Sequence, residues 1–98
     1  MLKGKQRSYL KKLAHDIDSI FQIGKAGINE NFIEQLKNAL EARELVKITV
    51  LDNSDLDTKE AASEVAEKTE AEFVQAIGKK FVIYKESEEN KKIKLPKA

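Results

Sequence analysis

The feature that most constrains this chain is a strand that breaks at a glycine turn and restarts as a helix. Residues 20–23 form an apolar run with strand character, and the next four residues are Gly24-Lys25-Ala26-Gly27. Asn29 is a good N-cap, and Ile28 and Ile33 have the spacing of a hydrophobic staple, which predicts a helix from residue 29. A strand followed at once by a helix is typical of folds in which helices pack on a sheet.

The other periodicities of the chain extend this alternation of helices and strands. They predict helices over residues 5–15, 29–43 and 57–69 and strands over residues 19–23, 44–51, 72–77 and 80–85. Two strand–helix–strand units imply parallel strands, with the second and third helices on one face of a mixed four-stranded sheet. The closing hairpin adds an antiparallel strand. The predicted fold is α/β, of the α+β two-layer type, in the order αβαβαββ.

The last two strands have apolar residues on both faces, so we expect them to be central or to be covered on the second face by the N-terminal helix. The 98 residues suffice for a single domain, which we expect to span residues 1–86. Residues 87–98 have no sustained period and several lysines. We therefore predict a flexible, basic C-terminal tail.

Composition excludes several classes of site. The chain has no cysteine, which excludes disulfides and thiolate metal sites, and its single histidine, His15, has no second histidine with which to share a metal ion. The acidic loop over residues 52–57 lacks the glycine and the ligand spacing of a calcium loop. The apolar runs are too short for a membrane span. We expect a cytoplasmic, monomeric protein without a cofactor, a metal or a small-molecule substrate.

The near-neutral net charge of +1 conceals an uneven distribution. Residues 1–25 contain six basic and two acidic side chains, residues 52–72 contain eight acidic and two basic ones, and residues 78–98 contain seven lysines and three glutamates. If both basic ends meet in the fold, one side of the molecule attracts a polyanion. The alternative is that these are ordinary solvated surfaces.

The glycine turn has the chemistry of a phosphate contact. Small residues allow backbone amides to approach a phosphate, Lys25 supplies a positive charge, and the following helix adds the positive end of its dipole. On the residues alone, a purely structural turn is an equal alternative. A KH domain is excluded because its GxxG loop lies between two helices, whereas this loop follows a strand.

Four blocks of residues, in this order, resemble one family: 5–15 (KQRSYLKKLAH), 22–27 (QIGKAG), 42–48 (ARELVKI), and Gly78 with 82–85 (VIYK). Together they resemble the CRM domain, the chloroplast RNA splicing and ribosome maturation family, and its stand-alone bacterial YhbY type, over residues 2–85. The resemblance implies a fold similar to the C-terminal domain of bacterial translation initiation factor three. It also implies RNA binding and association with precursors of the large ribosomal subunit.

The resemblance further implies that the GxxG loop and neighbouring basic residues contact RNA. The candidate contacts are Gly24, Lys25, Ala26, Gly27, Lys5, Arg7, Lys11, Lys12, Lys79 and Lys80. The family often has arginine after the last tyrosine, whereas this chain has Lys85, which keeps the charge but lacks a planar bidentate donor.

Aromatic residues give little support to base recognition. Four phenylalanines, at positions 21, 32, 73 and 81, are predicted to lie in the core, which leaves Tyr9 and Tyr84 as candidates for stacking. We therefore expect recognition of RNA shape and backbone, with a log–log salt slope of about −3 to −5 for five or six phosphate contacts.

Other functions find less support in the sequence. The string Ser8-Tyr9-Leu10-Lys11 matches a catalytic S-x-x-K pattern, but its companion motifs are missing, and no Walker A loop is complete, so we expect no enzyme. The alternative hypothesis is a protein-interaction module. In that case the acidic third helix docks a basic ribosomal or assembly partner, and the glycine loop is only a turn.

Overall fold

A computed structural model describes residues 2–97; residues 1 and 98, the outer limits of the predicted domain and tail, lie outside it. The elements are α1 (Gly4–Ala14), β1 (Ser19–Ile23), α2 (Glu30–Arg43), β2 (Leu45–Val50), α3 (Thr58–Thr69), β3 (Glu72–Ile77) and β4 (Lys80–Tyr84). This is the predicted order, and every boundary lies within one residue of its predicted position. Within residues 2–97, none of the helices combines the length and the apolarity that crossing a membrane requires.

The four strands form one mixed sheet in the order β1-β2-β4-β3. β1 and β2 are parallel, and β4 lies between β2 and β3, antiparallel to both. The predicted α+β class with a mixed four-stranded sheet is therefore confirmed. The order makes β1 and β3 the two edge strands, on opposite sides of the sheet.

The main core lies between the sheet and the pair α2 and α3. Alternation in β2 directs Val46, Ile48 and Val50 to this face, where they are almost completely buried. α3 presents a small-residue surface that includes Ala61 and Ala62, both fully buried, which lets the helix approach the sheet closely. Both helices lie on one face, as the strand–helix–strand pattern predicts.

α1 covers part of the opposite face. Its fully buried residues Leu10 and Ala14 belong to a second apolar cluster, together with Val74, Val82 and Tyr84 of the hairpin strands. This cover explains why the hairpin strands are apolar on both faces, and it adds a partial third layer to the predicted two-layer arrangement. It also brings the basic N-terminal helix onto the basic C-terminal hairpin.

The C-terminal segment differs from the sequence-based expectation, because it is bound to the domain. Ser87 is 1% exposed, and its hydroxyl donates to the carboxylate of Glu41 at 2.6 Å. The carboxylate of Glu44 accepts from the amides of Ser87, Lys92 and Ile93, and Ile93 also packs against the α1 cluster. Glu41 of α2 and Glu44, the residue after this helix, thus provide the acceptors that hold the tail. The predicted boundary at residue 86 stays a prediction.

The two glutamate carboxylates are held ionised by these contacts. The Ser87 hydroxyl, together with the amides of Glu88 and Glu89, lowers the pKa of Glu41 from 4.5 to about 2. Burial would raise the pKa of Glu44, but the three backbone amides outweigh it and lower that pKa. Burial, and then the charges of Glu44 and Glu86, raise the pKa of Tyr84.

Candidate functional site

The GxxG loop, residues 24–27, forms a tight turn at the carboxyl end of edge strand β1. The carbonyl of Ile23 accepts from the amide of Leu51, which holds the end of β1 against the end of β2. The Gly27 amide donates to the Gly24 carbonyl at 3.1 Å and closes the turn. Gly27 has a φ of +73°, a left-handed conformation that favours glycine, so this position needs glycine for backbone reasons.

The middle of the loop is exposed to solvent. The side chains of Lys25 and Ala26 are exposed, and within the described residues 2–97 neither of their amides donates to a backbone carbonyl. Both amides thus lie in an exposed turn without a backbone acceptor, and one of them belongs to Lys25 itself, which also carries the positive charge. The loop is not packed beneath neighbouring side chains.

The helix after the loop contributes less positive potential than its sequence position predicts. The Asn29 side chain already accepts a hydrogen bond from the Phe32 amide at 2.8 Å, and Glu30 places a negative charge in the first turn of α2. Both groups offset the positive end of the helix dipole. An anion at this loop would thus depend mainly on the two exposed amides and on Lys25.

The loop lies beside the polar β2–α3 connection. A Cβ atom on Gly24 would lie 3.4 Å from Oδ1 of Asn53, an ordinary van der Waals contact. Asp52, the preceding residue, pairs with Lys79 at 3.7 Å, with side chains that are 95% and 61% exposed. Such an exposed ion pair is weak, so Lys79 can exchange Asp52 for another anion.

The β3–β4 turn lies at the same end of the sheet as the GxxG loop. The Lys79 carbonyl accepts from the amide of Val50 at 2.7 Å, and the amide of Leu51, the residue after β2, donates to the carbonyl of Ile23 at the end of β1. Lys80 is exposed and lies opposite Thr49 of β2. Lys25, Lys79 and Lys80 therefore lie at the same end of the sheet, where β1 and β2 end and β4 begins.

The basic residues of α1 form two rows. Lys5 and Lys12 are exposed on the outer side of the helix, with Tyr9, 37% exposed, between them. Arg7 and Lys11 lie instead against β3. Arg7 is only half-exposed, and its Nε is buried without a hydrogen-bond partner within residues 2–97.

These basic groups do not form a single pocket. β1 and β3 are separated by two strands, so these two edge strands lie about 14 Å apart at ~4.8 Å per strand. Lys25 follows β1, whereas Arg7 and Lys11 lie beside β3. Lys79 and Lys80 lie between them. A ligand that touches all of them must be extended, which fits a polymer better than a small molecule.

Several residues have environments that the sequence did not predict. Tyr84, a candidate for stacking, is 4% exposed beneath α1, and Phe73, predicted to lie in the core, is 38% exposed. Lys85 donates to the carbonyl of Thr69 at the end of α3, so its side chain has a structural partner. Lys59 of the acidic third helix lies near Arg7, a proximity for which the sequence has no signal.

The other clefts are lined by residues outside the GxxG loop. One of them, about 470 Å³, lies between the end of α1 and β1 and is lined by side chains such as Ile17, Ile20 and Arg43. Glu41, Glu44 and Tyr84, whose pKa values are shifted, surround the docked C-terminal segment. Within residues 2–97, no group of three or more His, Cys, Asp or Glu side chains is placed to hold a metal ion.

Comparison with known protein families gives a match over the whole folded region. A model of the CRS1 / YhbY (CRM) domain matches residues 2–85, which include every strand and helix. The chain belongs to the CRM domain family. The predicted resemblance is thereby confirmed, and the match covers the GxxG loop, α1 and the β3–β4 turn.

Individual relatives can be aligned with this chain over nearly their whole length. The chain is 48% identical to the probable RNA-binding protein YqeI of Bacillus subtilis, covering 98% of this chain and 100% of that one. It is 37% identical to an RNA-binding protein of Haemophilus influenzae, covering 98% and 96%. The solution structure of the hypothetical protein SAV1595 from Staphylococcus aureus is similar, with 58% identity, a TM-score of 0.81 and coverage of 98% and 100%.

Proposed function

We propose that this CRM domain binds structured RNA through the GxxG loop and the basic side chains of α1 and the β3–β4 turn. The observation that carries the proposal is the exposed turn, in which two unengaged amides and Lys25 lie together. The names of the relatives from Bacillus subtilis and Haemophilus influenzae support RNA as the ligand.

The proposed mechanism is recognition of the phosphate backbone. The Lys25 and Ala26 amides donate to one phosphate while the Lys25 ammonium neutralises it. Lys79 and Lys80 hold the next phosphates at the same end of the sheet. The exposed residues Lys5 and Lys12 of α1 extend the contact. A ligand that meets this broad surface is selected by its shape and charge more than by its sequence.

The family resemblance makes ribosomal RNA the proposed target. We propose that the domain acts on the large ribosomal subunit or its precursor during assembly, as a monomer in the bacterial cytoplasm. A folded RNA with closely spaced backbones suits basic groups that are spread over both edge strands better than a single extended strand does.

Co-sedimentation with ribosomal particles across a salt series tests this proposal. Lys25→Ala should weaken binding and make the log–log salt slope shallower by about 0.7–0.9, since one phosphate contact is lost. Lys37→Ala is the matched control, because Lys37 is an equally exposed lysine beside the junction of α2 and α3. Its effect should be negligible.

The same experiment separates the rival protein-docking function. If the acidic surface of α3 captures a basic protein, Lys25→Ala is silent and charge reversal at Glu60, Glu64 and Glu67 abolishes capture. If purified RNA binds with the same affinity at low and at physiological salt, the phosphate mechanism is wrong.

A further inference from the structure

The outer edge of β3 forms the floor of a groove, here called the β3-edge groove. It is lined by Arg7 and Lys11 of α1, Lys59 of α3 and residues 73–77 of β3, with a volume of about 510 Å³. Because β3 pairs with β4 alone, the outward main-chain groups of residues 73–77 have no strand partner within residues 2–97. The groove therefore offers backbone hydrogen-bonding groups beside three cations.

An aromatic ring is exposed in this groove. Phe73 is 38% exposed and Ile77 64%, although the other three phenylalanines belong to the main core. The register of β3 against β4 shifts between Phe73 and Gln75, and Val74 at the shift is 1% exposed beneath α1. A bulge re-aims neighbouring side chains, which accounts for the position of Phe73 at the sheet edge.

The charge of the groove is of one sign. Its cations come from two helices on opposite sides of β3, and no aspartate or glutamate lines it within the described part of the chain. Arg7 is half-exposed, although its Nε is buried. A phosphate in the groove would meet the accessible part of the Arg7 side chain and would be neutralised by Arg7, Lys11 and Lys59.

We propose that the β3-edge groove binds a short unpaired stretch of RNA, with a base stacked on Phe73 and its phosphate held by Arg7, Lys11 and Lys59. The inference rests on the proposed function and extends it from folded RNA to single strands. An aromatic ring beside a cationic track is the usual arrangement for single-stranded nucleic acid. The exposed main-chain groups of β3 can then bond to the edges of the base.

An acidic peptide is the other polymer that could bind at the edge of β3, by pairing with it as an added strand. The structure favours RNA over such a peptide. Strand addition requires a regular edge, and the register shift at Phe73 interrupts β3 where such a strand would have to pair. The groove also shares helix α1 with the proposed RNA surface, so one RNA molecule can reach both.

Binding of a single-stranded oligouridine and of a blunt RNA duplex by the full chain tests the inference. Phe73→Leu keeps the apolar bulk but removes the ring, and it should weaken oligouridine binding about tenfold, the loss of one stacked base. Phe73→Tyr keeps the ring, so this variant should bind oligouridine as tightly as the wild type does. Ile20→Ala is the matched control, since Ile20 is 41% exposed on the opposite edge strand, and it should have no effect.

Amide NMR shifts of the same protein separate the two proposals. Oligouridine should move the amide signals of residues 73–77. The Lys25→Ala variant should show the same response to oligouridine but should bind the RNA duplex more weakly. Equal oligouridine affinity of the wild type and Phe73→Leu overturns the inference and leaves the loop proposal intact. Failure of both RNAs to bind overturns both. A shift of residues 73–77 by a glutamate-rich peptide and not by oligouridine would show that the groove takes an acidic strand instead.

Discussion

The carboxylate of Glu44 accepts a hydrogen bond from the backbone amide of Lys92 at 2.7 Å, across 48 positions of sequence. Glu44 follows the last residue of α2 and is completely buried, with a left-handed φ of +66°. Three amides of the C-terminal segment converge on its two carboxylate oxygens. One side chain therefore fixes the end of a helix and the path of the last residues together.

Substitution of Glu44 should destabilise the whole domain. Glu44→Gln keeps the shape but removes the charge and one acceptor, and hydrogen bonds to a charged group contribute about 1.5–3 kcal/mol. We expect thermal unfolding to show a fall in Tm on the order of 10 °C. Glu34→Gln, at an exposed position of the same helix, should leave Tm unchanged. Equal Tm values for both variants would mean that the C-terminal segment contributes nothing to stability.

Acid should release the C-terminal segment. The pKa of Glu41 is lowered from 4.5 to about 2, so its stabilisation is fully present above pH 4.5 and is lost as the pH falls toward 2. The pKa of Glu44 is lowered as well, so it contributes in the same direction. The amide NMR signals of Glu88 and Glu89, whose amides donate to Glu41, should keep their positions from pH 7 to 5 and move below pH 4.5. Movement of these signals between pH 7 and 5 would contradict the release of the segment by protonation of Glu41.

The two glycines of the GxxG loop should respond differently to alanine. Gly27 has a φ of +73° with open space around its Cβ position, so Gly27→Ala should cost about 1 kcal/mol through backbone strain alone. Gly24 has no such φ, and its Cβ would make only ordinary contacts, so Gly24→Ala should leave stability almost unchanged. Chemical denaturation of both variants measures the difference. A larger loss for Gly24→Ala would refute this geometry.

Removal of Asp52 should strengthen RNA binding if the proposed function holds. Asp52 pairs with Lys79 in solvent, and Asp52→Asn frees that lysine and removes a negative charge beside the GxxG loop. We expect a two- to threefold gain in affinity and faster association at low salt, the usual effect of a charge at the rim. Asp55→Asn, in the same connection, should have a smaller effect. Surface plasmon resonance with a structured RNA distinguishes them, and weaker binding by Asp52→Asn would contradict the proposed surface.

Local chemistry made most of the fold predictable. The apolar alternation of β2, the N-caps Asn29 and Asp57, and the turn residues around Gly78 each specify their element through neighbours in sequence, and all elements lie where these signals place them. The turn at residues 24–27 was predictable for the same reason, because the hydrogen bond that closes it joins Gly27 to Gly24.

Sequence alone determined the helices, the strands and the glycine turn, because periodicity, capping and turn chemistry act over a few residues. The CRM family was indicated separately, by the resemblance of four blocks of residues. Only the tertiary structure decided that Arg7 faces β3, that Phe73 is exposed at a bulge, and that Glu44 binds the C-terminal segment. Each of these arrangements depends on residues far apart in the chain. The contacts between them contribute to stability only after folding has brought them together and removed the water between them.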